Sequence, residues 1–425
     1  MANGTTSGSA PAGGRMQELL GWVDARFPLT RMWEEQWGKY YAPKNLNNWY
    51  LFGSLSLFVL VLQIVSGIFL TMNYKPAAAE AFGSVEYIMR DVEWGWLLRY
   101  LHSTGASAFF LVVYLHMFRA MLYGSYRKPR ELLWIVGMLI YLVLMGEAFF
   151  GYLLPWGNMS YWGAQVIVSL FGTLPVIGGG LVEWIRGDFY ISDITLNRFF
   201  ALHVIALPLV LVFLVAAHLL ALHETGSNNP DGVEIKKKKD KDGNPLDGIH
   251  SHPYYTVKDL MGLAFFLVPF CAVVFFSPEL GGLFLEAPNF EPANPMQTPE
   301  HIAPVWYFTP FYAMLRAVPA FFGTQVWGVL VMGGAIVLLF FLPWLDRSPV
   351  KSIRYRGPVY KVALALFVVW FVILGYCGLR PAVEPFKTLS VVGTIYYFAF
   401  FLLMPWYTRL DSYKPEPERV TYHAH

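Results

Sequence analysis

The 425-residue chain is 56% hydrophobic and 17% aromatic, with only 14% charged residues and a formal net charge of +2. Soluble domains carry roughly 25% charged residues, so a water-soluble globule is excluded, and so small a net charge points away from nucleic acid as a partner. Two cysteines, Cys271 and Cys377, stand alone in apolar runs and exclude a disulfide framework.

The N-terminus, MANGTTSGSAPAGGRMQELL, lacks the apolar core of a cleaved secretory signal and is expected to be disordered. It opens a segment over 1–48. A spanning helix needs about 20 mostly apolar residues, and eight stretches qualify: 49–73, 95–123, 131–154, 196–223, 260–279, 325–345, 359–378 and 388–408. The predicted fold is therefore an all-α integral membrane protein with eight transmembrane helices. The stretch 163–182 is broken by Pro175 and by the glycines from Gly178 to Gly180, and reads as short surface-lying helices. Basic clusters follow the second span (Arg127, Lys128, Arg130), the fourth (Lys236 to Lys239, Lys241) and the sixth (Arg347, Lys351, Arg354, Arg356). Loops rich in Lys and Arg stay cytoplasmic, so 1–48, the Lys-rich loop 224–259 and the tail 409–425 are all predicted on the cytoplasmic side of the membrane. The loop divides four spans at 49–223 from four at 260–408. Its lysines read as a solvated insertion, with anionic lipid headgroups as the alternative.

Histidines give this membrane chain its chemistry. HSTGASAFFLVVYLH places His102 and His116 fourteen residues apart in the second span, and HVIALPLVLVFLVAAH places His203 and His218 fifteen apart in the fourth. Fourteen helical steps return to within roughly 40° of the starting direction and rise about 21 Å. Fifteen overshoot, but Pro208 lies between and can re-phase the helix. The second and fourth spans run in the same direction, so His102 should face His203 near one surface and His116 should face His218 near the other. Facing imidazoles in a bundle suit axial ligation of haem iron. With no Cys-x-x-Cys-His in the chain, both haems would be non-covalent and b-type, held by the first four spans.

Arg99, Arg119 and Arg198 lie close to these histidines, and an arginine at a span is costly unless paired; haem propionates would supply the charge. Gly53 and Gly67 in the first span, and Gly137 and Gly151 in the third, are each fourteen apart. They match the histidines in depth and are expected to let a flat macrocycle approach the backbone.

With WYLFGSLSLFVLVLQIVSGIFL, GYLLPWGNMSYWGAQV, NRFFALH, LHETGSNNP and HPYYTVKD, the two histidine pairs make residues 35–410 resemble cytochrome b of the cytochrome bc complex, the respiratory ubiquinol:cytochrome c oxidoreductase, in its bacterial form. The resemblance implies a Q-cycle coupled to proton translocation. Quinol is oxidised at an outer site, one electron leaving to a Rieske iron–sulfur protein and a c-type cytochrome, the other crossing two haems to an inner quinone site. Carried over by motif, His102 and His203 would hold the outer, low-potential haem, and His116 and His218 the inner, high-potential one. Met145, Phe149, Tyr152, Gly163, Pro304, Trp306, Tyr307 and Tyr312 match the outer quinol site, with Tyr152, Trp306 and Tyr307 nearest the chemistry. His223, Ser227, Lys258 and Asp259 match the inner site, where a histidine and an aspartate can relay the protons that quinone reduction takes up. Family members are expected to be homodimeric within the complex.

Three departures stand out. The His203–His218 interval is one residue longer than in mitochondrial-type members. PVWY at 304–307 replaces Pro-Glu-Trp-Tyr, and Val305 cannot accept a proton. Glu147 stands in an apolar helix, where a carboxylate is costly, and is expected to replace the missing acid at the outer site. Glu300 and His301 are further candidates, though exposed loop positions fit them as well. Two rival readings use the same histidines: a di-haem membrane anchor of a quinone-linked dehydrogenase, and a proton-coupled transporter with a histidine relay.

Overall fold

The structure is a computed structural model that describes residues 14–421. Residues 1–13 of the start expected to be disordered, and the last four residues of the tail, lie outside the described residues, while 14–20 of that start are not disordered but form part of a helix, Gly14–Asp24.

Helices dominate because long runs of Leu, Val, Ile and Phe have no water to satisfy their backbone groups and must bond internally. Among the described residues, six helices are long and apolar enough to cross a membrane. Three of them are α1 (Leu51–Thr71), α2 (Gly95–Tyr123) and α3 (Glu131–Leu153). The stretch expected to lie on the surface splits at Gly172–Ile177 into two short helices, α4 (Asn158–Phe171) and α5 (Gly178–Arg186). The long α6 (Asp193–Thr225) and α7 (Tyr254–Phe276) follow, then the short α8 (Thr309–Ala317).

The expected sixth span contains a 15-residue helix, α9 (Val326–Phe340). Its α-helical run stops at Phe341, two residues before Pro343, which lacks the N–H needed to continue the ladder. The sixth long helix is α10 (Pro358–Gly378). The expected eighth span is bent by 60° between α11 (Phe386–Leu402) and α12 (Met404–Leu410), where Pro405 stands in the first turn of the second piece. Among the described residues six helices pass by length and composition, seven if the bent pair is one span.

α1 packs along α2, and α3 packs along α6. A single core joins this first bundle to the later helices, running from Leu55, Phe110 and Tyr141 through Tyr307 and Phe311 to Ala335, Tyr360 and Tyr397. Polar groups inside it are bonded across helices. The Trp134 indole donates to Leu339 O at 2.8 Å, and Tyr360 and Tyr397 donate to Met121 O and Ala335 O.

On the face that carries the basic loops, Tyr41–Pro43 pairs antiparallel with Gly248–His250. The Lys-rich loop is built around buried Asn228, Asn229, Asp231 and Asp247, with its lysines exposed. The tail closes over it: Thr421 bonds Asp231, and Arg419 donates to Asp247 at 2.7 Å.

Candidate functional site

Helix geometry brings the four histidines together as two pairs. The rings of His102 and His203 have centroids 6.1 Å apart, and those of His116 and His218 are 6.4 Å apart. Metal–imidazole bonds of about 2 Å on each side place two axial rings roughly 6 Å apart, so both separations fit a single ion between them. Among the described residues no group of three or more His, Cys, Asp or Glu side chains converges as a metal site. Two imidazoles alone suit a metal whose remaining ligands come from a macrocycle.

Fifteen residues between His203 and His218 are accommodated by a π-turn at Leu202–Ala206, in which the Leu207 amide reaches back five residues to Leu202 O. Pro208 follows and cannot donate to Val204 O. The wider turn absorbs the extra residue and restores the phase that fourteen α-helical steps would give; such bulges recur at functional positions.

The Nδ1 atoms show which nitrogen is left for a metal. The Ser66 hydroxyl donates to Leu62 O and lies 2.9 Å from His102 Nδ1, which can donate to it in turn. Nδ1 of His203 lies 2.9 Å from Glu147 O, a carbonyl that only accepts. Both contacts put the proton on Nδ1 and the lone pair on Nε2, the orienting role of partners behind metal-ligating histidines. At the other pair, Arg119 Nη2 stands 3.3 Å from His116 Nδ1 and can only donate, and the Leu133 backbone is the hydrogen-bonding neighbour of the His218 ring.

Each of the four glycines backs one of the four rings. A Cβ would meet His Cε1 at 3.3 Å from Gly53 (His116), 3.2 Å from Gly67 (His102), 3.2 Å from Gly137 (His218) and 2.3 Å from Gly151 (His203). It is the imidazole that fills the space of the missing side chain, where the sequence reading expected a macrocycle. Of the arginines, Arg119 also bonds Ser125 and lies over the Tyr50 ring, and Arg99 lines a cavity with Phe82, Leu285 and Asn289. Arg198 stands apart: its side chain is exposed and donates to Trp184 O at 2.5 Å.

The expected outer-site residues lie on α3, α4, the PVWY segment and α8. A Cβ on Gly163 would touch the Tyr152 ring at 3.6 Å. The Trp306 indole donates to Ser107 Oγ at 3.1 Å, Tyr307 stacks on Phe110 with centroids 3.9 Å apart, and the Tyr114 hydroxyl donates to Tyr307 O. Tyr312 lies under the Arg316 guanidinium and Phe149 against Phe199. Met145 packs at the edge of the core and Pro304 is half-buried.

Glu147 does not join this group. Its carboxylate Oε1 lies 3.1 Å from Nδ1 of His203, on the side of the ring away from Nε2. The backbone carbonyl and side chain of one residue therefore converge on one imidazole nitrogen. The carboxylate that meets Tyr152 is Glu286, whose Oε2 accepts from the tyrosine hydroxyl at 3.1 Å. Sequence reading missed Glu286; the available signal was an acid in the apolar run LFLEAP. Its neighbours are latched to α4: Asn289 Oδ1 accepts from the Ser160 amide, Glu291 O accepts from the Asn158 amide, and the Ala293 amide donates to Trp156 O. His301 bonds Leu379 O, away from that contact.

At the opposite end, the Tyr40 ring lies 4.4 Å from the His223 ring, and its hydroxyl accepts from the Ser227 amide; His223 Nδ1 also meets Gln36 Oε1. Lys258 donates to Leu46 O at 2.8 Å, and Asp259 accepts from Ser54 Oγ at 3.0 Å.

Two family descriptions match the chain: "Cytochrome b/b6/petB" over residues 37–226 and "Cytochrome b(C-terminal)/b6/petD" over 292–398. Cytochrome b of Allochromatium vinosum is 64% identical over 408 residues, covering 95% of this chain and 98% of the relative. Cytochrome b of Rhodospirillum rubrum is 49% identical over 405 residues, covering 95% and 96%. A chain of a solved hyperthermophilic respiratory complex III superposes with a TM-score of 0.82 at 39% identity, covering 91% of this chain and 98% of that one.

Proposed function

The chain belongs to the cytochrome b family, and from that premise we propose that it is the haem-carrying, quinone-binding subunit of a ubiquinol:cytochrome c oxidoreductase working by a Q-cycle. The observation that carries the reading is the pair of facing imidazoles at each end of the first bundle, 6.1 and 6.4 Å apart. His102 and His203 hold the outer haem iron, and His116 and His218 the inner one. Bound there, the two b-type haems supply one-electron transfer across the bilayer. Ser66 and the Glu147 carbonyl orient the outer imidazoles, and the four glycines leave room for the rings. Arg99 and Arg119 are the cations available to haem carboxylates; the outward course of Arg198 supports no such role for it.

Quinol is oxidised at the outer site, where Tyr152, Trp306 and Tyr307, with Met145, Phe149, Gly163, Pro304 and Tyr312, enclose it and exclude water. Quinone is reduced at the inner site, where His223 and Asp259 deliver protons and Ser227 and Lys258 bind. Eight spans result when the bent α11–α12 pair and α9 with the short helix Leu342–Leu345 that follows it both cross. Both chain ends face the cytoplasm of a bacterial inner membrane, and the partners are a Rieske protein, a c-type cytochrome and a second copy of the complex. A redox titration of haem absorbance in the purified complex tests the core of this. Two components are expected, with one disappearing in His102→Ala or His203→Ala and the other in His116→Ala or His218→Ala. A colourless chain overturns it.

A further inference from the structure

Oxidising a quinol sheds two protons, yet none of the eight side chains assigned to the outer site is a base at neutral pH. Val305 is buried and inert, and Glu147 is held against His203. One carboxylate touches the site from outside the expected set. Glu286 Oε2 accepts from the Tyr152 hydroxyl at 3.1 Å, while Phe284, two residues earlier, stacks on Trp306 with centroids 6.4 Å apart. The segment that carries Glu286 is fixed rather than loose. Asn289 and Glu291 bind the first turn of α4, Asn294 pairs with Asn158 through the Asn294 amide and Asn158 Oδ1, and the Trp162 indole donates to Asn294 O. These contacts run along the same turn that carries Gly163 to the Tyr152 ring.

We propose that Glu286 is the proton acceptor at the outer quinol site, working beside Tyr152 and taking the place that the valine of PVWY leaves empty of a base. The inference rests on the reading of this pocket as a quinol-oxidation site. In the step, one quinol O–H bond breaks and its proton passes to the Glu286 carboxylate, directly or through the Tyr152 hydroxyl. The two electrons leave singly to the oxidants named above, an iron–sulfur centre and the outer haem. The second proton leaves from the opposite hydroxyl of the ring, and Glu286 then releases its own to the outer aqueous phase.

Electrostatics agree with this role. Burial pushes the Glu286 carboxyl up to about 7, against the lowering effect of its own backbone and of the Tyr152 hydrogen bond. Among the described residues, the titratable side chains recorded as interacting with it are Tyr152 from α3 and Tyr307 from the PVWY segment, and neither brings a cation. A carboxyl that titrates near neutrality can both take a proton and give it up.

Glu286→Gln in the assembled complex is the test. The wild-type rate of quinol oxidation should fall as pH drops through about 7, because the acceptor must be ionised. In Glu286→Gln the rate above pH 7 should drop tenfold or more and that acid limb should vanish, while the double variant Glu286→Gln/Val305→Glu should recover much of the rate. A Glu286→Gln complex with the wild-type rate and limb overturns the proposal. An unchanged two-component haem spectrum in the variant separates loss of the acceptor from loss of the fold, and a wild-type complex that binds haem but never oxidises quinol would instead defeat the underlying reading of the site. Independently of any variant, infrared titration of the wild-type complex should show a carboxyl band near pH 7 that shifts when a quinol analogue fills the outer site; absence of that band also overturns it.

Discussion

A methyl group on Gly151 would sit 2.3 Å from Cε1 of His203, against 3.2–3.3 Å at Gly53, Gly67 and Gly137. The three wider approaches can be relieved by shifts of a few tenths of an ångström, and the narrow one cannot, because the ring is fixed by the Glu147 carbonyl. Gly151→Ala should therefore strip most of the outer haem, whereas Gly53→Ala should leave the inner haem largely bound; haem content per chain and the reduced spectrum check the contrast. Glu147, one turn earlier on the same helix, acts on the same imidazole. A carboxylate beside Nδ1 raises ligand basicity and favours the oxidised metal, so Glu147→Gln should raise the midpoint potential of the outer component. If the change is worth about 1.4 kcal/mol, a one-electron couple moves by roughly 60 mV, which a redox titration resolves. Neither position was fully legible in sequence. The glycine spacing announced a role but not its partner, and the acid of the third span was noticed while the atom it faces was not. Partners across helices are set by packing, which a linear pattern does not carry.

At the scale of the element, the π-turn at Leu202–Ala206 is what lets a fifteen-residue interval work. Ile205 in that turn is exposed, so removing it deletes the extra residue without opening a hole. Deleting Ile205 should convert the turn to regular helix and retain both haem components, whereas deleting the equally exposed Phe213 should rotate His203 away from His102 and lose the outer one. Pro208 made re-phasing foreseeable, but the form it takes depends on which carbonyl the helix leaves without a donor. Proline also explains the two expected spans that the fold interrupts. Pro343 and Pro405 sit inside apolar runs that hydropathy alone reads as continuous, and the cost of breaking the ladder there exceeds what apolar composition can restore.

Across the whole molecule, the two halves are tied at the face of the basic loops by the Tyr126 hydroxyl of the first, which reaches a buried ion pair of the second. Arg356 grips Asp346 with two nitrogens, the closer contact at 2.5 Å, and the Tyr126 hydroxyl donates to the same carboxylate at 2.7 Å. Both side chains are essentially inaccessible. Burial pushes the Asp346 carboxyl up, but the Arg356 and Arg127 guanidiniums more than offset it and hold it below its ordinary value. A carboxyl depressed on folding contributes stability that is present above its unfolded pKa and lost as pH falls through the folded one, so this contribution should persist until the pH is below about 4. Arg356→Met leaves the carboxylate buried without its partner and should cost about 3–5 kcal/mol; the double variant Asp346→Leu/Arg356→Met should regain much of it, as thermal unfolding in detergent would report. The tail depends on the same face through Asp231 and Asp247, which the view of a merely solvated loop did not foresee.

Composition and periodicity by themselves determined that the chain lives in a bilayer, which helices carry imidazoles, and at what depth those rings lie, because hydropathy and helical pitch are local properties. Tertiary structure alone decided which nitrogen His102 and His203 keep free, that Glu147 turns toward His203, and that Glu286 reaches Tyr152 from a loop 134 residues away along the chain. Those outcomes depend on contacts between segments remote in sequence, whose energies are set by packing geometry rather than by the identity of any residue's neighbours along the chain.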